Sequence, residues 1–127
     1  MASKPKRTPA KRSSKSKASQ GKRPNPIQVV MVTAPERVAH KIAKILVKER
    51  LIACANLLPG VQSLYWWKSK IDHGTETVML LKTVTSKVPK LLKRVQKLHP
   101  YSIPEFIAVD VQSGATNYLK WVHDECG

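Results

Sequence analysis

The segment from Val61 to Val84 constrains the fold more than any other stretch of the sequence. It reads VQSLYWWKSKI, then DHG, then TETVMLLKTV, so a short polar break separates two alternating runs of β-branched, aromatic and aliphatic residues. This pattern predicts a β-hairpin whose turn lies at Asp72–Gly74. The first arm, residues 61–71, would span about 36 Å at ~3.3 Å per residue, whereas a domain of ~100 residues has a radius of gyration near 13 Å. We therefore expect the hairpin to extend beyond its own domain.

Three consecutive aromatic residues lie in the first arm of this hairpin. Neighbouring residues of a strand point to opposite faces, so Trp66 and Trp67 cannot both pack on the core of one domain. The long edge of such a strand is also prone to association unless another chain covers it. We expect Tyr65, Trp66 and Trp67 to belong to an interface with a second chain.

The remainder of residues 27–127 alternates between strand-like and helix-like patterns. The near-continuous apolar run Ile27–Ala34 predicts a buried strand, and Thr33 is the expected cap of the helix that follows. The second helix is expected to begin at Thr85 or Ser86 and to end before Pro100. The elements predicted in order are a strand at 27–34, a helix at about 36–50, a short strand or bend at 53–60 broken at Pro59-Gly60, the hairpin, a helix at 86–98, a strand at 104–111 and a helix at 117–125.

This order of elements is that of the split β-α-β, or ferredoxin-like, arrangement. Right-handed crossovers place the first and third strands at the centre of the sheet, and Ile27–Ala34 and Thr77–Leu81 are the two most apolar strands. We predict an α+β fold: a ferredoxin-like βαββαβ domain over residues 27–127, with an extra C-terminal helix and an extended hairpin between its second and third strands.

Residues 1–26 differ sharply from this domain in composition. They contain nine Lys or Arg, no acid and, apart from Met1, no large apolar residue, and they carry more than half of the net charge of +15. Burial cannot offset the entropy of ordering such a segment, so it is predicted to be a disordered basic tail. Flexible cations displace counterions from phosphates, which makes nucleic acid a candidate partner of this tail. Nuclear targeting and import into an organelle are the alternatives to a merely solubilising role.

Several other classes of protein are disfavoured by the sequence. No apolar run approaches ~18 residues, so neither a transmembrane helix nor a signal peptide is expected. Two cysteines cannot form a disulfide framework, and we expect a reducing, cytoplasmic location. No GxSxG motif or motif-framed Cys/His pair occurs, so an enzyme is not expected, and Cys54 is expected to be a small buried residue.

The second helix is predicted to be strongly cationic. It holds five basic residues and no acid, namely Lys87, Lys90, Lys93, Arg94 and Lys97. A solvated helix face is the ordinary interpretation of such a run. Attraction to nucleic acid or to an anionic membrane at low salt is the alternative.

Five motifs occur in order within residues 28–122: VVMVTAPE, RLIACANLLPGVQSLYWW, ETVMLLKT, LHPYSIPEFIAV and YLKWV. Together they resemble the CutA family of divalent-cation tolerance proteins. The resemblance implies a ferredoxin-like subunit that forms a homotrimer through its long hairpins, and a link to copper and other divalent cations. It implies no catalytic reaction, so we expect a non-enzymatic function in metal-ion tolerance or homeostasis.

The resemblance also implies where a metal would bind. In copper-binding bacterial members, ligation is associated with a cysteine on the first strand and a histidine pair just before a Pro-Tyr dipeptide. Here Val32 and Leu98 replace the cysteine and the first histidine, and only His99 remains. We predict His99 and Glu105 as ligands that hold Cu(II) or another divalent cation weakly. The alternative is that His99 forms hydrogen bonds near the end of the second helix and shapes a turn.

Further polar and aromatic positions match those of the family. They predict a pocket between subunits formed by Trp67, Glu76, Lys82 and Tyr101. Lys82 on a central strand would need Glu76 or Glu105 as a partner if buried, and a purely structural ion pair is the alternative. Trimeric PII signalling proteins share this architecture and bind nucleotides between subunits. A PII-like small-ligand trimer and a nucleic-acid or nuclear interaction protein are therefore the two alternative functions.

Overall fold

The computed structural model describes residues 26–127, so the predicted basic tail lies outside the described residues except for Pro26. The elements are β1 (Ile27–Ala34), α1 (Glu36–Lys48), β2 (Cys54–Trp67), β3 (Lys70–Val84), a 3₁₀ turn (Thr85–Lys87), α2 (Val88–Leu98), β4 (Ile107–Asp110) and α3 (Thr116–Cys126). The four strands form one antiparallel sheet in the order β2-β3-β1-β4. The predicted α+β class and order of elements are confirmed, and β1 and β3 occupy the centre as predicted.

Helices α1 and α2 pack against the central strands. Val30 and Val32 of β1 and Leu81 of β3 are fully buried in the same cluster as Ile42 of α1 and Leu91 of α2. The alternation of each strand directs every second side chain to this layer. Each such side chain contributes about 1.5–3 kcal/mol by leaving water, so the apolar stripes of the two helices hold them on the sheet.

Helix α3 covers one end of the sheet. Val122 and Cys126 pack against Ile27 and Val84, which pair with each other across β1 and β3. None of the helices between residues 26 and 127 is long and apolar enough to cross a membrane.

The predicted hairpin is present, but its turn lies elsewhere. Strands β2 and β3 contain 14 and 15 residues and pair as far as Trp67 and Lys70. The turn therefore consists of Lys68 and Ser69. Both residues have positive φ, 50° and 64°, as expected for a two-residue hairpin turn that matches the twist of the strands. The predicted turn at Asp72–Gly74 is wrong, since these residues continue the ladder of β3.

Replacing Lys68 with Asn and Ser69 with Gly should stabilise the hairpin. Asn-Gly is the preferred pair for this turn, and it relieves the cost of positive φ at two ordinary residues. We expect the free energy of unfolding to rise by about 0.5–1 kcal/mol, measured by urea denaturation at one protomer concentration. The control is Ser63→Gly, inside β2, which should destabilise because glycine weakens a strand interior. A lower stability of the turn variant would contradict the assigned turn.

Strand β2 passes through Pro59 and Gly60, where the sequence predicted a break. The register shifts between Leu58 and Val61, and Gly60 adopts a φ of 73°. A bulge absorbs the one extra residue, and a proline without an N–H is tolerated on an edge strand. The predicted short strand and the first hairpin arm are therefore one long element.

Two other predicted boundaries are wrong. Thr33 does not cap α1, because it lies in β1 and the helix is preceded by Pro35 without a side-chain cap. The strand predicted at 104–111 is reduced to Ile107–Asp110. Pro104, which has no N–H to donate to a ladder, and Glu105 instead line the cleft described below.

Candidate functional site

A cleft of about 880 Å³ opens between the hairpin and the loop that follows α2. The hairpin supplies one wall, and residues 101–105, which connect α2 to β4, supply the other. The lining residues are Thr33, Gln62, Ser63, Leu64, Tyr65, Trp66, Trp67, Asp72, Glu76, Tyr101, Ser102, Ile103, Pro104 and Glu105. The cleft thus brings together three of the four predicted pocket residues, one predicted metal ligand and the aromatic run of β2.

Glu76 and Tyr101 form the polar centre of this cleft. Glu76 lies on β3 opposite Val61 and is only 9% exposed. Tyr101 Oη donates a 2.8 Å hydrogen bond to Glu76 Oε2. Burial, together with this bond and the charge of Glu76, raises the pKa of Tyr101 to about 12. Because a buried carboxylate is costly without a donor, the hydroxyl stabilises Glu76 in the wall of the cleft.

His99 stands behind the cleft wall rather than in it. The ring is 7% exposed; its Nε2 lies 2.7 Å from the carbonyl oxygen of Thr33, and its Nδ1 accepts a 3.1 Å bond from the N–H of Tyr101. With Nδ1 as acceptor, Nε2 carries the proton and donates to Thr33. Both nitrogens are engaged, so a cation could bind His99 only by replacing one of these bonds. The imidazole fixes the turn that presents Tyr101 to Glu76, as the structural alternative predicted.

The charged side chains that line the cleft are all acidic. Asp72, Glu76 and Glu105 contribute three carboxyl groups, and none of the lining residues is Lys, Arg or His. Carboxylates and aromatic faces attract cations, whereas phosphates are usually bound by Arg, Lys or backbone N–H groups. Within residues 26–127, no three His, Cys, Asp or Glu side chains come together as a metal site. A single copy of the chain therefore offers an acidic cleft without a preformed metal centre.

Lys82 lies outside the cleft. It lies six positions from Glu76 along β3, about 20 Å at ~3.3 Å per residue, and within residues 26–127 it forms no ion pair with Glu76 or Glu105. Lys82 Nζ instead donates to Asn56 Oδ1 and to Cys54 Sγ, the latter at 3.9 Å. Cys54 Sγ also lies 3.4 Å from Tyr118 Oη, and burial together with this contact raises the pKa of Tyr118 above its ordinary value. The predicted pocket residues therefore fall into two separate clusters.

Two cleft residues were assigned other roles by the sequence. Asp72 was predicted to lie in the turn and Thr33 to cap a helix. In the structure Asp72 pairs with Tyr65 across the hairpin. The alternation of the strand could have indicated that Asp72 lies in the cleft with Glu76, because strand residues four apart share a face.

The rim of the cleft exposes large apolar side chains. Leu64, Trp66, Ile71 and Ile103 are 74%, 72%, 64% and 75% exposed. Beside them, β2 leaves its outer edge unpaired in the part of the chain that the structure describes. Extended apolar patches and open strand edges mark sites of association. The exposed apolar side chains and the open edge of the hairpin are features of association sites, and the interface predicted for Trp66 stays a prediction.

A protein-family model described as "CutA1 divalent ion tolerance protein" matches residues 28–125. This chain belongs to the CutA1 family. The match includes the cleft and all of the sheet except Ile27, and it confirms the resemblance seen in the sequence motifs.

Other CutA proteins resemble the chain over the same region. "Divalent-cation tolerance protein CutA" of Thermus thermophilus is 45% identical over 101 residues, which are 79% of this chain and 98% of that protein. "Protein CutA" of Homo sapiens is 42% identical over 115 residues, which are 90% of this chain and 64% of that protein. The chain thus spans nearly all of the bacterial relative and less than two thirds of the human one.

Solved CutA structures share the fold. The CutA1 structure from Thermus thermophilus superposes with a TM-score of 0.77 at 44% identity and covers 80% of this chain and 99% of that one. CutA1 from Oryza sativa gives 0.79 at 34% identity, with 81% and 95% covered. A structure titled "PII-like protein CutA" from Nostoc gives 0.75 at 31% identity, with 79% and 97% covered.

Proposed function

We propose that this chain is a non-enzymatic protein of divalent-cation tolerance that acts as a homotrimer. The observation that carries the proposal is the acid-lined cleft in a member of a divalent-ion tolerance family. Three carboxyl groups without a basic neighbour lower the free energy of a cation in the cleft and raise that of an anion. None of the lining residues is His, Lys or Arg, and the Tyr101 hydroxyl is already bonded to Glu76, which favours binding over catalysis.

The trimeric part of the proposal rests on the hairpin. Its exposed tryptophans and its open edge lose contact with water when a second copy covers them. In the proposed assembly the hairpin of one copy closes the rim of the cleft on the next. The cleft then becomes the predicted pocket between subunits, with Trp67, Glu76 and Tyr101 in its wall.

We place a weak divalent-cation site at His99 and Glu105. Imidazole and carboxylate are suitable ligands for Cu(II), and Glu105 already lines the cleft. The site is weak because His99 must give up a hydrogen bond, either to Thr33 or from Tyr101, before it can coordinate a metal.

Calorimetric titration with Cu(II) tests this site. We expect weak binding by the wild type, no binding by His99→Ala and binding weakened about tenfold or more by Glu105→Gln. His40→Ala is the matched control, because it removes an exposed imidazole of α1 and should leave the heats unchanged. Thermal denaturation of each variant checks that it remains folded. Identical heats for the wild type and a folded His99→Ala would exclude the His99 site.

Binding of a small organic ligand in the cleft, as in a PII-like signalling trimer, is a second candidate function. The cleft volume lies within the roughly 300–1,000 Å³ typical of ligand pockets, and aromatic side chains line it. Its acidic lining favours a cationic ligand over a nucleotide, because nothing in the wall would neutralise phosphates.

A further inference from the structure

The proposed function leaves a cationic surface on helices α1 and α2 without a role. Seven exposed basic side chains form it: Arg37, Lys41, Lys44 and Lys48 of α1, and Lys90, Lys93 and Lys97 of α2. We call these seven residues the cationic face. They belong to the two helices that pack on the sheet, and none of them lines the acidic cleft.

The spacing of these residues places them in one row on each helix. Residues three and four apart lie on the same side of a helix, and on α1 the row lies opposite the buried residues Ala39, Ile42 and Leu46. At 1.5 Å per residue the rows extend about 16 Å on α1 and about 10 Å on α2. Arg94 of α2 forms a 2.7 Å ion pair with Glu49, the residue after α1, so the two rows belong to one continuous surface.

The charge of this face is not neutralised by the protein. None of its seven cations forms an ion pair with an acid of residues 26–127. Residues 36–50 and 87–97 contain ten Lys or Arg and two Glu, whereas the rest of residues 27–127 contains four basic and six acidic residues. The net positive charge of the domain therefore comes from the segments that contain α1 and α2. Like charges at these spacings oppose helix formation, so the arrangement is unfavourable until an anion neutralises it.

We propose that the cationic face binds the phosphate backbone of double-stranded nucleic acid without reading its sequence. Lys and Arg neutralise phosphates and release their counterions, which supplies most of the affinity of such binding. The face has no aromatic side chain for stacking bases, which argues against a single strand as the partner. Val47 is the only large apolar side chain of α1 or α2 that is well exposed, whereas a helix lying on a membrane needs an apolar face.

The point where the basic N-terminal segment joins the domain supports this assignment. The N–H and Oγ1 of Thr85 both donate to the carbonyl oxygen of Pro26, at 2.8 and 3.0 Å. Thr85, one of the two caps expected for α2, thus holds the start of the domain at the turn leading into that helix. Pro26, the residue that follows the nine Lys or Arg of residues 1–25 in the sequence, therefore lies at the start of the helix that carries Lys90.

The test is binding of the full-length chain to a fluorescent DNA duplex of arbitrary sequence, followed by anisotropy over a series of salt concentrations. The face variant is Lys90→Gln, Lys93→Gln and Lys97→Gln together. We expect it to bind at least about tenfold more weakly near 0.1 M salt, and the slope of log K against log salt to decrease by about 2–3, because each lost phosphate contact removes about 0.9. Arg94 is kept because it pairs with Glu49.

The matched control removes the same charge elsewhere, with Lys68→Gln, Lys70→Gln and Lys120→Gln, and should retain the affinity within about twofold. Because Lys68 and Lys70 lie at the tip of the hairpin assigned to the trimer interface, sedimentation velocity first checks that this variant keeps the molar mass of the wild type. Equal weakening of both variants would show that only net charge matters and would overturn the proposal. The proposal would also be overturned if the face variant bound like the wild type while replacing the nine cations of residues 1–25 with Gln abolished binding to the duplex. The tail alone would then account for the binding. Tighter binding to phosphatidylserine vesicles than to the duplex, at equal phosphate, would reject nucleic acid in favour of a membrane.

Discussion

Replacing Trp66 and Trp67 together with serine should convert the proposed trimer into monomers or aggregates. Both side chains are exposed on the single chain, Trp66 at 72% and Trp67 at 43%, so they do not hold the fold of one subunit together. Truncating a tryptophan at the centre of an interface typically costs about 2 kcal/mol or more. Two such losses amount to about 4 kcal/mol, or about a thousandfold in the association constant. Sedimentation velocity over a range of concentrations measures the outcome.

The matched control for this experiment is Val47→Ser. It removes an exposed apolar side chain of α1, away from the hairpin, and should leave the molar mass unchanged. A trimer that survives the double tryptophan substitution would show that the hairpin is not the assembly surface. A wild-type chain that sediments as a monomer would contradict the trimer itself.

The apolar pattern was sufficient to predict the elements that make the core. Strands Ile27–Ala34 and Thr77–Leu81 were expected at the centre of the sheet from right-handed crossovers, and their apolar sequences agreed with this position. They pair with each other there. The helices were recognisable from stripes such as Leu91 and Val95, which are fully buried. Burial acts on every residue of such an element, so it leaves a signal in the sequence that is long enough to read.

The turn of the hairpin could not be predicted in this way. Lys68 and Ser69 adopt positive φ, yet neither is among the Gly, Asn and Asp residues that mark such turns. The stronger local signal was at Asp72–Gly74, where the ladder in fact continues. A displaced turn changes the register of a hairpin, and this is why the sequence did not place Asp72 in the cleft.

The bonds of the candidate site were also beyond the sequence, because they join distant parts of the chain. His99 meets the carbonyl group of Thr33 across 66 positions of sequence, and Tyr101 meets Glu76 across 25. The local sequence pattern could mark these residues as unusual, but it could not show which of them are hydrogen-bonded to each other. It also offered Glu76 or Glu105 as the partner of Lys82. Glu76 lies six positions from Lys82 on the same strand, where the ~3.3 Å rise per residue rules out an ion pair.

Replacing Tyr101 with Phe should destabilise the folded protein by about 1–3 kcal/mol at neutral pH. The substitution preserves the ring and removes the hydroxyl that donates to Glu76 Oε2, and Glu76 is almost fully buried. A buried acceptor that loses its donor keeps its desolvation cost without compensation. Urea denaturation at a fixed protomer concentration measures the change. Tyr65→Phe is the matched control, because Tyr65 lines the same cleft and is about as exposed as Tyr101, 44% against 39%, but its hydroxyl is not the one that donates to Glu76 Oε2.

The dependence of this difference on pH distinguishes the hydrogen bond from a general packing effect. The pKa of Tyr101 is raised to about 12 in the folded protein, against about 10 for an unfolded tyrosine. Above pH 10 the unfolded chain therefore loses this proton while the folded chain retains it. The stabilisation from Tyr101 should be complete below pH 10 and lost as the pH rises to about 12, so the wild type should approach Tyr101→Phe in stability over that interval. A difference that stays constant from pH 7 to 12 would mean that the hydroxyl does not stabilise Glu76, and the cleft would then need another donor to keep its central carboxylate buried.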